Sequence, residues 1–174
     1  MSQPDGTVMQ MAYVVENLGV ALEHWLSKMK VGPFIVLRSL EALDKRYRGA
    51  PSDLDVDIAL GFSGDICIEL IQQNCKSPSV FRELLDSKGG GFHHWALFTE
   101  SIDEEVSRYQ KQGHALAFSG KVAIGGRFAY MDTVAELGGM IELIEATPSV
   151  RELFGNLENV SQQWDGADPV RFMN

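Results

Sequence analysis

Basic residues are scarce in this sequence: 15 Lys and Arg stand against 24 Asp and Glu, a formal net charge of −9. That balance argues against nucleic acid and against anionic membrane surfaces as partners, because both demand a basic face. Cysteine is scarcer still. Cys67 and Cys75 are the only two, too few for a disulfide framework, so a reducing, cytoplasmic setting is expected. Cys67 lies within a strand-like run and reads as a small core residue rather than a nucleophile. No apolar run of membrane-spanning length and no secretory signal pattern is found. What remains is ordinary for a globular chain, with 45% hydrophobic and 22% charged residues. At 174 residues it can fill one sizeable core, or two half-sized modules that share one.

The most informative feature is a repeat. Ile68-Glu69-Leu70-Ile71 returns as Ile141-Glu142-Leu143-Ile144. The echo continues, since Pro78-Ser79-Val80 and Arg82-Glu83-Leu84 follow the first copy and Pro148-Ser149-Val150-Arg151-Glu152-Leu153 the second. One pattern late in each half suggests two copies of a supersecondary unit. Each copy sets a carboxylate inside an apolar run, which is costly unless something compensates the charge. A single Glu in such a run reads as a side chain on a solvated strand face. Two at matching places in a repeat point to a shared partner, and a metal ion is a common one.

Taken in order, residues 1–7 are polar and turn-rich, a loose terminus. Val8 to Val15 reads as a strand, and Leu18, Leu22, Trp25 and Met29 recur at helical spacing behind Asn17, a helix over 18–30. Phe34 to Leu37 is a strand, residues 41–55 are a charged loop or lid, and Val56 to Phe62 and Asp65 to Gln72 are strands separated by Ser63-Gly64. Residues 8–75 thus form a first βαβββ module. A linker over 76–91 carries a short helix near 78–87 and ends in Gly89-Gly90-Gly91. The pattern restarts over 92–146. A strand from Phe92 precedes a helix whose Ser101 and Glu104 have the spacing of a capping box, and strands follow at 114–120, 127–133 and 140–145. The tail, 147–174, places Val150, Leu153, Phe154 and Leu157 at helical spacing to pack on a module or on a second subunit. Its last part, from Asp165, reads as irregular. The fold class is α+β.

If the modules are equivalent, their first and last strands can be superposed. They carry Gln10 and Glu69 in one module, His94 and Glu142 in the other. An amide oxygen, an imidazole nitrogen and two carboxylates can all ligate a divalent cation. One His among oxygen ligands suits a six-coordinate ion with water positions better than tetrahedral structural zinc. By the period of two, Gln10 shares a face with Ala12 and Val14, and His94 with Phe92, Ala96 and Phe98. His93 then points away, behind the site or into an interface. A lone strand His is more commonly a hydrogen-bonded core residue than a ligand; His24, on a helix beside Trp25, and His114, just after Gly113, read as structural. Four donors at matched places favour a metal site.

The stretches Gln10-Met11-Ala12-Tyr13-Val14-Val15, Phe92-His93-His94-Trp95-Ala96 and Gly139-Met140-Ile141-Glu142-Leu143 carry a resemblance to the vicinal oxygen chelate superfamily. That superfamily includes glyoxalase I, methylmalonyl-CoA epimerase, extradiol dioxygenases and bleomycin-resistance proteins, and the match spans about residues 8–146. It implies two βαβββ modules around one open, barrel-like cavity, here followed by the helical tail. It also implies metal ligands at Gln10, Glu69, His94 and Glu142, the set of the animal form of glyoxalase I. Epimerases and extradiol dioxygenases usually begin with His where this chain has Gln10. An iron dioxygenase relying on two His and one carboxylate is therefore disfavoured.

The chemistry implied is that of an isomerase, epimerase or lyase. A divalent ion (Ni, Co, Zn, Mn or Mg) would stabilise an enediolate or enolate, with Glu142 as the first choice of base and Glu69 the second. No basic cluster suits the carboxylates of glutathione, although residues 45–48 could meet the phosphates of an acyl-CoA. A small, hydrophobic, oxygenated substrate fits the aromatic candidates Phe34, Phe92, Phe98, Phe128 and Tyr130, beside Arg38. The competing reading is a metal-free protein of the bleomycin-resistance type that sequesters a hydrophobic ligand. The resemblance also implies a homodimer.

Overall fold

The computed structural model describes residues 6–173; the first five residues of the expected loose terminus, and Asn174, lie outside the described residues. β1 (Val8–Val14), α1 (Leu18–His24), β2 (Phe34–Leu37), β3 (Ala42–Tyr47), β4 (Ala50–Pro51), β5 (Val56–Ser63) and β6 (Ile66–Gln73) make the first half. After α2 (Val80–Lys88) come β7 (Gly91–Thr99), α3 (Ile102–Lys111), β8 (Leu116–Val122), β9 (Arg127–Met131), α4 (Val134–Leu137) and β10 (Met140–Glu145). α5 (Pro148–Gln162) and β11 (Val170–Phe172) complete the chain. Among the described residues no helix is long and apolar enough to cross a membrane.

All strands join one open sheet in the order β11-β2-β5-β6-β1-β7-β10-β9-β8-β3-β4. The two halves repeat one wiring, β1 lying parallel to β6 as β7 lies parallel to β10. They meet where β1 and β7 pair antiparallel at the centre. Both faces of the sheet are covered, so strands such as β5 and β6 are buried at nearly every position instead of alternating between buried and exposed. On the outer face α1 buries Leu18 and Leu22 against Phe34 and Leu70, and α3 brings Ile102 down with Ile141 and Leu143. The largest apolar cluster fills the concave face, where Ala12, Ile58 and Ile71 meet Phe118 and Tyr130 from the other half.

The Asn17 side chain caps α1 by accepting the Val20 N–H, and one π-helical turn over Trp25–Met29 prolongs the helix. Ser101 occupies the N-cap of α3 without forming the capping box. Its side chain makes no capping bond, and its N–H donates instead to Thr99 Oγ1 at 3.1 Å.

Three segments depart from the sequence reading. The expected loop over 41–55 contains β3 and β4, and β3 crosses to pair with β8 of the second half (Ala42 with Val122, Tyr47 with Phe118). Arg48 fixes that arm through Glu83 at 2.8 Å and Asp132 at 3.0 Å. β3 is short and charged, without apolar alternation, so only its distant partner strand makes it visible. The C-terminal segment is likewise not wholly irregular, since β11 adds parallel to β2. The third departure is a register shift in β7: Ala12 pairs with His94 but Tyr13 with Phe92, leaving His93 as the extra residue of a bulge.

Asp57 at the start of β5 ties the base of the arm to the sheet. It accepts the Ser39 N–H at 2.8 Å and the Asn74 amide at 2.9 Å, and pairs with Arg38. Burial pushes its carboxyl up, but these donors outweigh it and hold the group below the usual carboxylate range. Because the folded value is the lower one, the stabilisation is present above the unfolded carboxyl range and is lost as pH falls through the folded value. Asp57→Asn should therefore cost about 1–3 kcal/mol in urea unfolding at pH 7, and the gap from the parent should narrow in acid. A gap independent of pH would contradict the assignment.

Candidate metal centre

Four adjacent central strands, β6-β1-β7-β10, each contribute one polar side chain to the concave face. Gln10 lies opposite Cys67 and Glu69 opposite Ala12; in the other half His94 lies opposite Met140 and Glu142 opposite Ala96. The two pairs thus hold equivalent positions in the two halves. All four side chains are buried. Gln10 Nε2 donates to Glu69 Oε2 at 2.9 Å. His94 Nε2 sits 3.1 Å from Glu142 Oε2 and 3.5 Å from Glu69 Oε2, and the ligand atoms of Glu69, His94 and Glu142 lie within 4.8 Å of one another. Among the described residues Gln10 Oε1 has no hydrogen-bond partner, and His94 Nε2, although within ion-pair reach of both carboxylates, makes no well-aligned hydrogen bond. An unsatisfied buried polar atom costs about 1–3 kcal/mol. The donor set, an amide oxygen, an imidazole nitrogen and two carboxylates, fits a divalent ion that would engage both atoms.

The group opens onto a cavity of about 680 Å³. Its walls are apolar, with Ile58 and Leu60 from β5, Phe81 from α2, Phe118 from β8, and Leu153 and Phe154 from α5. Arg38, Lys45 and Arg127 are the basic residues of the described lining, and each is engaged. Arg38 pairs with Asp57, Lys45 donates to the Leu54 carbonyl, and Arg127 holds Glu145 at 2.8 Å and Asp103 at 2.9 Å.

A family profile described as glyoxalase/bleomycin resistance protein/dioxygenase superfamily matches residues 9–130. The chain belongs to that superfamily. The methylmalonyl-CoA epimerase of Mycobacterium tuberculosis superposes on this member with a TM-score of 0.58 at 19% identity, covering 85% of this chain and 93% of its own. A Bacillus halodurans protein of unassigned function gives 0.58 at 19% identity, over 81% of this chain and 94% of its own. The Streptomyces coelicolor epimerase, in complex with 2-nitronate-propionyl-CoA, gives 0.55 at 15% identity, over 83% and 100%. At such identities the likeness is one of fold. Among curated proteins none matches this superfamily member significantly.

Burial dominates the electrostatics. It pushes the Glu69 carboxyl up, with the Glu142 charge adding and His94 opposing. Burial alone would lower His94, but the carboxylates of Glu142 and then Glu69 outweigh it and raise the imidazole to about 9. His93, without such partners, is pushed down to about 3 by burial and by the neighbouring His94 charge. Burial and the same two carboxylates raise the Tyr130 hydroxyl, and Tyr130 stays a phenol beside its cross-strand partner Glu142. Cys67, beside Gln10 on the neighbouring strand, is raised likewise and remains an unreactive thiol.

Of the aromatic and basic residues expected around a substrate, Arg38, Phe128 and Tyr130 line the cavity. Phe34, Phe92 and Phe98 do not. Phe34 lies under α1 and occupies the space that a side chain at Gly61 would need, a Cβ there falling 2.9 Å from its ring. The bulge in β7 turns Phe92 to the outer face, where it meets Tyr13 and Trp95. Phe98 packs edge-on against Phe154 of α5 at 5.3 Å. The same bulge corrects the expected direction of His93, whose ring faces Phe81 and Tyr130 beside His94. Sequence reasoning missed Phe81 and Phe118 as wall residues. Leu153 and Phe154 were legible as an apolar helix face, but not as the cavity's cover.

The electrostatics yield a direct check on ion-free protein. In a chelator-treated sample followed by NMR, His94 should titrate near 9, and Glu142→Gln should bring it down by removing the largest favourable charge. An imidazole that titrates near its ordinary value in the parent protein would contradict this geometry.

Proposed function

We propose that this superfamily member is a divalent-metal-dependent isomerase, epimerase or lyase that abstracts a proton next to a carbonyl of a small, hydrophobic, oxygenated substrate. The observation carrying this reading is the symmetric, buried group of Gln10, Glu69, His94 and Glu142, in which Gln10 Oε1 lacks a hydrogen-bond partner among the described residues and His94 Nε2 faces both carboxylates. Gln10 Oε1, His94 Nε2 and the two carboxylates would hold the ion. When bound, the ion supplies Lewis-acid charge opposite an oxygen that becomes negative as the proton leaves carbon.

The chain's own groups do the rest. Glu142 is the first candidate to take the proton, because Glu69 is tethered by the Gln10 amide at 2.9 Å and is less free to move. Tyr130, held neutral, keeps a donor O–H beside that carboxylate. Leu153 and Phe154 cover the apolar wall and keep water from competing for the oxyanion. The apolar lining and its engaged cations favour a ligand with a compact oxygenated head and an apolar body. A coenzyme A thioester or a glutathione adduct would need free cations for its phosphates or carboxylates. Association into a homodimer belongs to the same proposal and is checked by light scattering.

One observation favours a second reading, a metal-free binding protein. The His94–Glu142 contact at 3.1 Å offsets part of the buried charge without an ion, and the apolar cavity could sequester a hydrophobic ligand by itself.

Protein purified without chelator should carry a divalent ion in near-stoichiometric amount by elemental analysis. Adding cobalt or zinc to stripped protein at pH 7 should release on the order of one proton per ion, since His94 must give up its charge. Repeated elemental blanks from a protein that still binds an apolar dye would instead favour sequestration. With a panel of apolar 2-oxo and 2-hydroxy carbonyl compounds, proton–deuterium exchange at the adjacent carbon should be detectable by NMR. Glu142→Gln should slow it by about 10²–10⁴-fold with the fold intact; unchanged exchange would refute Glu142 as the base.

A further inference from the structure

His93 is a buried imidazole that the reaction proposed above leaves without a task. The β7 bulge places its Nδ1 2.9 Å from Nδ1 of His94, and its Nε2 3.2 Å from the carbonyl oxygen of Val80 in the first turn of α2. Phe81 and Tyr130 pack on the ring at 4.9 and 6.0 Å between centroids. Among the described residues its hydrogen-bonding neighbours are one carbonyl and one imidazole, with no carboxylate to support a positive charge, so the ring carries a single N–H.

The position of that proton follows from the partners. A carbonyl oxygen only accepts, so the proton sits on Nε2 and points at Val80. Nδ1 of His93 is then a lone pair. Across the 2.9 Å gap, His94 must supply the proton, from its own Nδ1. A neutral His94 with its proton on Nδ1 keeps a lone pair on Nε2, the nitrogen that faces Glu142 at 3.1 Å and Glu69 at 3.5 Å. We infer that His93 is a positioning residue: anchored on the α2 backbone, it fixes the tautomer and ring plane of His94 so that Nε2 presents its lone pair to a metal ion. The inference rests on the metal reading of the Gln10, Glu69, His94 and Glu142 group.

The test uses full-length protein and zinc chloride. In zinc-loaded parent protein, long-range ¹⁵N–¹H correlation should find His94 protonated at Nδ1 and ligated through Nε2; a proton on Nε2 overturns the inference. By calorimetry, His93→Phe, which keeps the ring but removes both nitrogens, should bind zinc about 10–100-fold more weakly. His93→Asn, whose amide oxygen can accept from His94 Nδ1, should recover most of that loss. If His94→Ala weakens zinc binding while His93→Phe binds like the parent, the role of His93 is overturned and the metal reading stands. If His94→Ala binds zinc like the parent, both fall. Should His93→Phe fail to fold, the parent spectrum and His93→Asn decide.

Discussion

One imidazole can offset only one of two carboxylate charges, and at the centre of this sheet His94 shares an apolar pocket with both Glu69 and Glu142. Their mutual pull raises His94 to about 9 against burial, which would otherwise lower it. Even so, among the described residues Gln10 Oε1 has no hydrogen-bond partner and His94 Nε2 makes no well-aligned one. Burying such a group costs free energy, and buried groups with shifted titration cluster at functional sites. The rest of the molecule can be understood as the scaffold that makes this arrangement possible.

That scaffold is a duplication joined at one seam. Parallel pairing of β1 with β6, and of β7 with β10, sets each module's carboxylate one strand away from its amide or imidazole. Antiparallel pairing of β1 with β7 then brings the two half-sites together. Neither half holds enough donors for an ion alone. The β3–β4 arm reinforces the union by reaching from the first half onto β8 of the second, and Arg48 pins it to Glu83 and Asp132. Covering the cavity falls to α5, so the C-terminal tail shapes the space that a ligand would occupy.

Kinship in fold with methylmalonyl-CoA epimerases does not carry their substrate over. The lining here is aliphatic and aromatic, and Arg38, Lys45 and Arg127 are already committed to intramolecular partners. A wall of this kind selects by shape and desolvation rather than by charge. Gln10 in place of the His usual in epimerases is a second difference, because a neutral amide oxygen donates less strongly than an imidazole.

The repeat of Ile-Glu-Leu-Ile, the apolar periodicities and the matched first strands made the βαβββ duplication legible, together with the candidacy of Gln10, Glu69, His94 and Glu142. These are local patterns, and strand alternation translates them directly into faces. What alternation could not carry was any event that interrupts it. The bulge at His93 turned Phe92 outward and His93 onto Phe81 and Tyr130, and nothing in the one-dimensional pattern marks the extra residue. Phe34 and Phe98 were aromatic in the right region, yet helices cover both. β3 and β11 are strands only because distant strands accept their backbone groups. The sequence by itself determined which residues could form a strand or helix and which donors stood in equivalent places. Tertiary structure alone decided which faces are enclosed and which cations are free, because burial and charge pairing depend on neighbours that the chain brings in from far along its length.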